Sequence, residues 1–242
     1  SGHVRIYQNI SGSWSQIGND IDGEAAGDNS GYSVSVSSDG NIVAIGAIGN
    51  DANGNFSGHV RIYNWSGTSW TQLGNDLDGD AGYDRCGHSV SLSSDGYTVA
   101  IGAKGHDGNG SASGHVRIYN WSGNSWTQLG LDIEGETGGD ESGYSVSLSS
   151  NGQTVAIGAL GNDGNGNISG HVRIYNWSGS SWIQLGQDID GEAANDYSGY
   201  SVSLSSDGNT VAIGAIGNDG NGYGSGHVRI YQNISGSWSQ IG

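Results

Sequence analysis

The acidic residues of this chain recur in a pattern suited to binding a hard metal cation. Sixteen of the 24 aspartates and glutamates lie at relative positions 1, 3, 5 and 9 around a central glycine. Alternate carboxylates in such a turn can converge on Ca²⁺, which takes about six to eight oxygen ligands. The loops lack the bidentate glutamate of an EF-hand, so the pattern predicts calcium sites of modest affinity. The candidate ligands are Asp20, Asp22, Glu24 and Asp28; Asp76, Asp78, Asp80 and Asp84; Asp132, Glu134, Glu136 and Asp140; and Asp188, Asp190, Glu192 and Asp196.

A second interpretation of the same carboxylates is structural. Carboxylates accept hydrogen bonds from backbone N–H groups in tight turns, and each repeat also supplies one arginine as an ion-pair partner. One arginine for four acids leaves most of the acids without such a partner, so the sequence leaves both interpretations open. The arginines are Arg5, Arg61, Arg117, Arg173 and Arg229.

The histidines and hydroxyl residues show no pattern typical of catalysis. Five histidines each lie two residues before an arginine, and no second ligand recurs at a suitable spacing, which predicts packed histidines between repeats. A Ser-His-Asp or Cys-His grouping is not specific in a chain so rich in serine. The sequence therefore predicts that the protein is not an enzyme and has no catalytic residue. The five histidines are His3, His59, His115, His171 and His227.

Tryptophan pairs bracket a turn in three of the repeats. Exposed tryptophans near Asp and Asn are typical of lectins, which stack the indole on a sugar face. Packing at the outer edge of a sheet is the alternative, since that region needs bulky side chains. The candidate glycan-binding residues are Trp65 and Trp70, Trp121 and Trp126, and Trp177 and Trp182.

A repeat of 56 residues must position all of these side chains, because the heptapeptide SGHVRIY begins at residues 1, 57, 113, 169 and 225. Within a repeat, Val90 and Leu92 alternate with serines, and this period of two predicts a β-strand. Four such strands per repeat, with no helical periodicity, predict an all-β fold: a β-propeller of four-stranded antiparallel blades. A solenoid of stacked meanders is the alternative.

The sequence predicts one domain of four full blades and a half blade over residues 1–242. The serine-rich strand fits the innermost position of a blade, where side chains must be small, and the tryptophan-bearing strand fits the outer edge. The predicted boundaries are a half blade at 1–18 and blades at about 31–74, 87–130, 143–186 and 199–242.

The run GYSVSLSSDGNTVAIGA at residues 199–215, preceded by DGEAAND and followed by GNDGNG and GHVRIY, resembles the bacterial FG-GAP repeat family. These repeats are relatives of the integrin-α propeller, so the resemblance implies a propeller with an extracellular role in adhesion or recognition. Integrin relatives bind calcium in the hairpin between the first two strands. Here that hairpin is only SSDG or SSNG, too short to enclose an ion, so that function is not carried over.

The two ends of the chain are identical, because residues 225–242 repeat residues 1–18 letter for letter. The first 18 residues supply only the outer two strands of a blade, which leaves an unpaired edge. The inner strands near residues 199–215 have two equivalent candidates for outer strands, one in their own chain and one in another copy. The sequence therefore predicts self-association by strand exchange or head-to-tail contact. A monomeric ring with an incomplete fifth blade, or an arbitrarily cut longer array, is the alternative.

The charge of the chain limits the classes of partner that it can bind. With 24 acidic and seven basic residues the formal net charge is −17, which disfavours binding to nucleic acid and to anionic membranes.

No apolar run reaches transmembrane length. The absence of Met and the start within a repeat predict a processed product or an excerpt of a longer protein. We therefore expect an extracellular or cell-surface adhesion or recognition protein that binds itself, a glycan or a surface protein, with a lectin or a filament subunit as alternatives.

Overall fold

The computed structural model describes residues 1–242 and contains strands and turns but no helix. Four sheets follow one another along the chain, and each is an antiparallel meander of four strands in sequence order. The prediction of an all-β fold of antiparallel strands is therefore confirmed. No helix long and apolar enough to cross a bilayer is present.

The four sheets have nearly identical strand boundaries, and sheets 1 to 3 carry a fifth, two-residue strand that pairs with the start of the third strand. Sheet 1 comprises Ser30–Val36, Ile42–Ala47, His59–Trp65, Trp70–Gln72 and Leu77–Asp78. Sheet 2 comprises Ser89–Leu92, Thr98–Ala103, His115–Trp121, Trp126–Gln128 and Ile133–Glu134. Sheet 3 comprises Ser145–Leu148, Thr154–Ala159, His171–Trp177, Trp182–Gln184 and Ile189–Asp190. Sheet 4 comprises Ser198–Leu204, Thr210–Ala215, His227–Ile234 and Ser237–Gln240.

Residues 1–22, here called the N-terminal ribbons, correspond to the outer strands of a sheet without its inner pair. His3–Val4 pairs with Ile21–Asp22, and Tyr7–Ile10 pairs with Ser13–Gln16. No further strand pairs with these segments. One edge of the N-terminal ribbons is therefore open.

Consecutive sheets pack face to face through alternating apolar side chains. Val60 and Ile62 on the third strand of sheet 1 lie in one buried cluster with Val99 and Ile101 on the second strand of sheet 2. Equivalent clusters join sheet 2 to sheet 3 and sheet 3 to sheet 4. Because side chains alternate between the two faces of a strand, each Val-x-Ile motif places both of its apolar residues in the same interface.

The serine-rich first strands lie where successive sheets converge. Ser33 Oγ donates a hydrogen bond to the Gly87 carbonyl at 2.6 Å, and Ser89 Oγ donates to the Gly143 carbonyl at 2.8 Å. A Cβ atom on Gly46 would overlap the carbonyl oxygen of Gly87, so only glycine fits there. Small side chains are required at this position because the backbones of neighbouring sheets approach each other so closely.

Four aromatic rings pack in a row along these first strands, one from each sheet. The ring centroids of Tyr32 and His88 are 5.2 Å apart, and those of His88 and Tyr144 are 4.7 Å apart. His88 also contacts the Tyr144 carbonyl and the Tyr32 hydroxyl through its two ring nitrogens. His88 stands where the other sheets have Tyr32, Tyr144 and Tyr200.

His88→Tyr is expected to make the stability of the protein less dependent on pH. Burial, followed by the nearby charge of Lys104, lowers the pKa of His88 to about 4, so the folded state keeps this imidazole neutral. The unfolded chain takes up the proton near pH 6.5. As the pH falls from about 6.5 to about 4, His88 therefore removes up to roughly 1.4 kcal/mol of stability per pH unit. Urea denaturation of wild type and His88→Tyr at several pH values in this window measures the difference, with the exposed His3→Gln as the control. Equal slopes for wild type and His88→Tyr would contradict the prediction.

Candidate functional site

The first carboxylate of each acidic loop is held by side chains of its own sheet. Asp132 accepts hydrogen bonds from Arg117 Nε at 3.0 Å and from Gln128 Nε2 at 2.6 Å. Burial alone would raise the pKa of Asp132, but the hydrogen bonds from Arg117 and Gln128 lower it. Asp20 makes the corresponding contacts with Arg5 and Gln16. These acids therefore already have a cationic partner.

The second and third carboxylates of each loop diverge. The second lies on the two-residue fifth strand, and burial raises the pKa of Asp78, Glu134 and Asp190. The third reaches the arginine of the following sheet, as in the ion pair of Glu24 with Arg61 at 2.5 Å. The third acid of each loop thus links two consecutive sheets.

The fourth carboxylate is buried and closes the turn of its own loop. Asp140 accepts backbone N–H bonds from Glu136 at 3.0 Å and Thr137 at 2.9 Å, and it accepts a further bond from the Thr137 hydroxyl. Asp84 and Asp196 accept the equivalent pairs of backbone bonds. This role is the one that the structural interpretation of the sequence predicted.

The structure brings at most two carboxylates of one loop into a single group, as in Asp80 with Asp84 and Glu192 with Asp196. Binding of one calcium ion by all four carboxylates of a loop stays a prediction. The groups of ligand atoms that do lie within 4.8 Å of one another each combine carboxylates with at least one histidine. Acidic clusters able to hold a metal ion are thus present, but they are built around histidine. The groups are Glu24, His59 and Asp76; Asp80, Asp84 and His106; His106, His115 and Glu134; Glu136, His171 and Asp188; and Glu192, Asp196 and His227.

The histidines on the third strands of sheets 1 to 3, which are His59, His115 and His171, are buried. The sequence predicted this burial for histidines packed between repeats. Burial, followed by the charge of His106, lowers the pKa of His115 to about 3. Burial, followed by the charge of Arg173, lowers the pKa of His171 to about 4. Both imidazoles are therefore neutral at pH 7, which is the form that binds metal ions.

The tryptophan pairs lie in the grooves between the outer strands of consecutive sheets. Trp126 Nε1 donates a hydrogen bond to the Leu73 carbonyl of the preceding sheet at 2.7 Å, and Trp182 Nε1 donates to Leu129 at 2.9 Å. The rings of Trp121 and Trp126 pack together with centroids 5.4 Å apart. The indole N–H groups of the second tryptophans are thus used in joining sheets, which favours the packing interpretation of these residues over the glycan-binding one.

Cys86 is a buried residue without the environment of a reactive thiol. Burial raises its pKa to about 12, so the nucleophilic thiolate does not form near neutral pH. The equivalent residues in the other repeats are Ser30, Ser142 and Ser198. Cys86 therefore behaves as a small buried side chain.

The sequence model of the FG-GAP repeat family matches residues 189–231. The matched segment begins at the fifth strand of sheet 3, includes the acidic turn, and ends on the third strand of sheet 4. The resemblance that the sequence suggested is thereby confirmed for residues 189–231, and the structure shows that the matched segment spans the junction between two sheets.

Solved structures support a propeller-like fold for the chain, whereas no curated protein matches it in sequence. The periplasmic gluconolactonase of Pseudomonas aeruginosa has a TM-score of 0.63 at 13% identity, over 98% of this chain and 62% of that one. A candidate 6-phosphogluconolactonase of Bacteroides fragilis has a TM-score of 0.64 at 11% identity, over 99% and 63%. Hydrazine synthase of Kuenenia stuttgartiensis has a TM-score of 0.55 at 13% identity, over 91% and 52%. The chain thus spans less than two thirds of each similar structure.

These structures correct the prediction that the protein is not an enzyme. That prediction relied on the absence of a catalytic pattern among the histidines and hydroxyl residues. The gluconolactonase and the candidate 6-phosphogluconolactonase have propeller-like structures similar to the four-sheet array of this chain. Because enzymes use this fold, the lack of a recognisable pattern does not exclude catalysis, and the prediction is wrong.

Sequence reasoning missed the functional candidate His106, which lies in the loop between the second and third strands of sheet 2. The signal was a departure from the repeat: the other three repeats have Asn50, Asn162 and Asn218 at this position. His106 lies next to His115, with ring centroids 4.1 Å apart. The regular spacing of the carboxylates singled out residues that recur in every repeat, whereas His106 occurs in only one repeat.

Proposed function

We propose that this chain is a surface recognition or adhesion module of the β-propeller type that associates with further copies of itself through its two end faces. Each four-stranded sheet is one blade in this proposal, and the N-terminal ribbons are the outer half of another. The FG-GAP repeat at residues 189–231 and the similarity to a periplasmic protein support an extracellular or cell-surface setting. The single observation that carries the proposal is the apolar surface left open at both ends of the array.

The last sheet presents the face that every other sheet buries. Val172 on the third strand of sheet 3 is 0% exposed, whereas the equivalent Val228 of sheet 4 is 66% exposed. Ile230, which follows it on the same face, is also exposed, although Ile174 is buried. This face is therefore one half of the interface that occurs between sheets 1 and 2, 2 and 3, and 3 and 4.

The first sheet presents the opposite half of the same interface. Val36 of sheet 1 is exposed, whereas the equivalent Leu92, Leu148 and Leu204 are buried. The N-terminal ribbons cover only Val43 and Ile45 of this face. They leave a groove of about 630 Å³, which Val34 and Val36 line together with Trp14.

The open edge of the N-terminal ribbons provides a backbone contact of matching sequence. Thr210–Ala215 pairs with His227–Ile234 in sheet 4, with Ala215 opposite His227. Residues 3–10 have the same sequence as 227–234 but no second strand beside them. The second strand of sheet 4 in another copy already pairs with its own His227–Ile234. It can therefore take residues 3–10 in the same register by strand exchange, with nearly the same energy.

The proposed occupant of the end faces is a second copy of this chain. Its complementary face has the sequence and the side-chain pattern that the internal interfaces already use. Because each copy carries a formal net charge of −17, the copies repel one another at low ionic strength. Association is therefore expected to strengthen as salt screens the charges.

Light scattering coupled to size exclusion tests the proposal over a range of protein and salt concentrations. We expect the mass to rise from 24.8 kDa toward multiples of it as concentration increases. Val228→Asp is expected to weaken association by about tenfold or more, because it places a charge in the centre of the interface. Ile183→Asp, an equally exposed site on an outer strand, is the matched control and should have no effect. A strict monomer at millimolar concentration and high salt would refute the proposal.

A further inference from the structure

One group of side chains in sheet 2 contains three buried polar atoms without a partner. His106 Nδ1, His115 Nδ1 and Glu134 Oε2 are inaccessible to solvent and make no hydrogen bond. The three residues bring one ligand atom each to within 4.8 Å of the others. His115 is only 2% exposed. Buried polar groups are almost always satisfied, so one unsatisfied atom on each of these three neighbouring residues indicates a binding site.

His106 is the first departure from the repeat at this site. In sheet 3 the equivalent Asn162 donates to Asp140 at 3.3 Å and accepts from the backbone N–H of Gly164 at 2.8 Å. The asparagine is therefore satisfied through both ends of its amide. His106 Nδ1 lies 3.4 Å from Asp84 Oδ2 but does not form a hydrogen bond with it. The imidazole nitrogen remains free to bind another group.

Glu134 is the second departure, and it occurs in the same place. The other repeats have the shorter Asp22, Asp78 and Asp190 at this position. The longer side chain brings Glu134 Oε2 beneath the loop that carries His106, since a Cβ atom on Gly108 would lie 2.5 Å from it. Within this one group, a histidine thus replaces the asparagine of the other repeats, and a glutamate replaces their aspartate.

The arginine of each sheet binds other acids and leaves this group without a cation. In sheet 1, Arg61 contacts Glu24 at 2.5 Å and Asp76 at 3.4 Å. In sheet 2, Arg117 binds the equivalent Asp80 and Asp132. Glu134 Oε2 and the two imidazoles are left for a different cation.

We propose that His106, His115 and Glu134 bind one Zn²⁺ or a related divalent first-row transition metal ion. Two imidazoles and one carboxylate are a donor set typical of zinc, whereas Ca²⁺ takes oxygen ligands only. Zinc bonds of about 2.0–2.2 Å require the ligand atoms to draw together by roughly 1 Å, which side-chain rotation permits. The formal net charge of −17 also favours cation binding.

Calorimetric titration of the EDTA-treated, dialysed full chain with zinc chloride tests this site. We expect one zinc ion per chain and a melting temperature raised by roughly 5 °C at 100 times the dissociation constant. His106→Asn restores the residue of the other repeats, so it should fold normally and bind zinc about 100-fold or more weakly. Glu134→Asp, which also restores the repeat residue, should weaken binding in the same direction.

Two controls separate this site from unspecific histidine binding. His3→Asn removes an exposed histidine outside the group and should leave zinc affinity unchanged. Cobalt(II) should give visible d–d absorption in the wild type that is lost in His106→Asn. The proposal is overturned by the absence of zinc binding, by unchanged affinity in His106→Asn, or by calcium stabilising the chain as much as zinc does.

Discussion

Val172→Asp is expected to unfold much of the chain, whereas Val228→Asp, the same substitution at the same repeat position, is expected to leave the fold intact. Val172 is 0% exposed and packs in one cluster with Val211 and Ile213 of the following sheet. An aspartate there would be a buried charge without a partner, which costs about 3–5 kcal/mol. That loss is a large share of the roughly 5–15 kcal/mol that stabilises a typical domain.

Val228 faces solvent on the last sheet, so a charge at that position remains hydrated. A substitution of this kind usually changes stability by no more than about 0.5 kcal/mol. Thermal denaturation followed by circular dichroism at low protein concentration compares the two variants without interference from association. Similar melting temperatures for the two variants would show that the end face is covered in solution, or that the internal interface is not as tightly packed as the structure indicates.

Asp140→Ala is expected to destabilise the protein by roughly 3 kcal/mol, and added calcium is expected not to restore it. Removal of the carboxylate leaves the partly buried backbone N–H groups of Glu136 and Thr137 without their protein acceptor. Each unsatisfied donor costs about 1–3 kcal/mol. Calcium is not expected to restore this loss of stability, because the Asp140 carboxylate accepts the backbone hydrogen bonds of its own turn.

The variant Asp140→Asn distinguishes a structural role of this carboxylate from a role as a calcium ligand. The amide keeps one acceptor oxygen for the turn, so we expect an intermediate loss of stability. A carboxylate that served mainly as a calcium ligand would instead show no loss in EDTA and a loss only when calcium is present. Urea denaturation of both variants with EDTA and with millimolar calcium gives the answer.

The alternation of apolar and polar residues along short segments was sufficient to predict the strands. The alternation of Val90 and Leu92 with serine, and of Val116 and Ile118 with polar residues, places apolar groups on one face of each strand. The connections between them are rich in glycine and shorter than a parallel crossover requires, so neighbouring strands had to be antiparallel. The repeat of SGHVRIY then predicted that each sheet resembles the next.

The site was harder to predict, because its ligands come from different strands and loops. The spacing of Asp132, Glu134 and Asp140 suggested a shared centre, but in the structure each carboxylate meets a different partner. Asp140 turns back to its own backbone, while Asp132 is held by Arg117 and Gln128. Spacing along a loop fixes the order of side chains but not their directions.

The sequence alone therefore determined the strands, their antiparallel order and the FG-GAP resemblance, because these depend on side-chain alternation and on turns between adjacent segments. Only the tertiary structure decided which residues meet between sheets. It placed His106 against His115 and Glu134, and it buried Val172 while leaving Val228 exposed. Identical motifs thus have different environments, because burial depends on the neighbouring sheet and not on the motif itself.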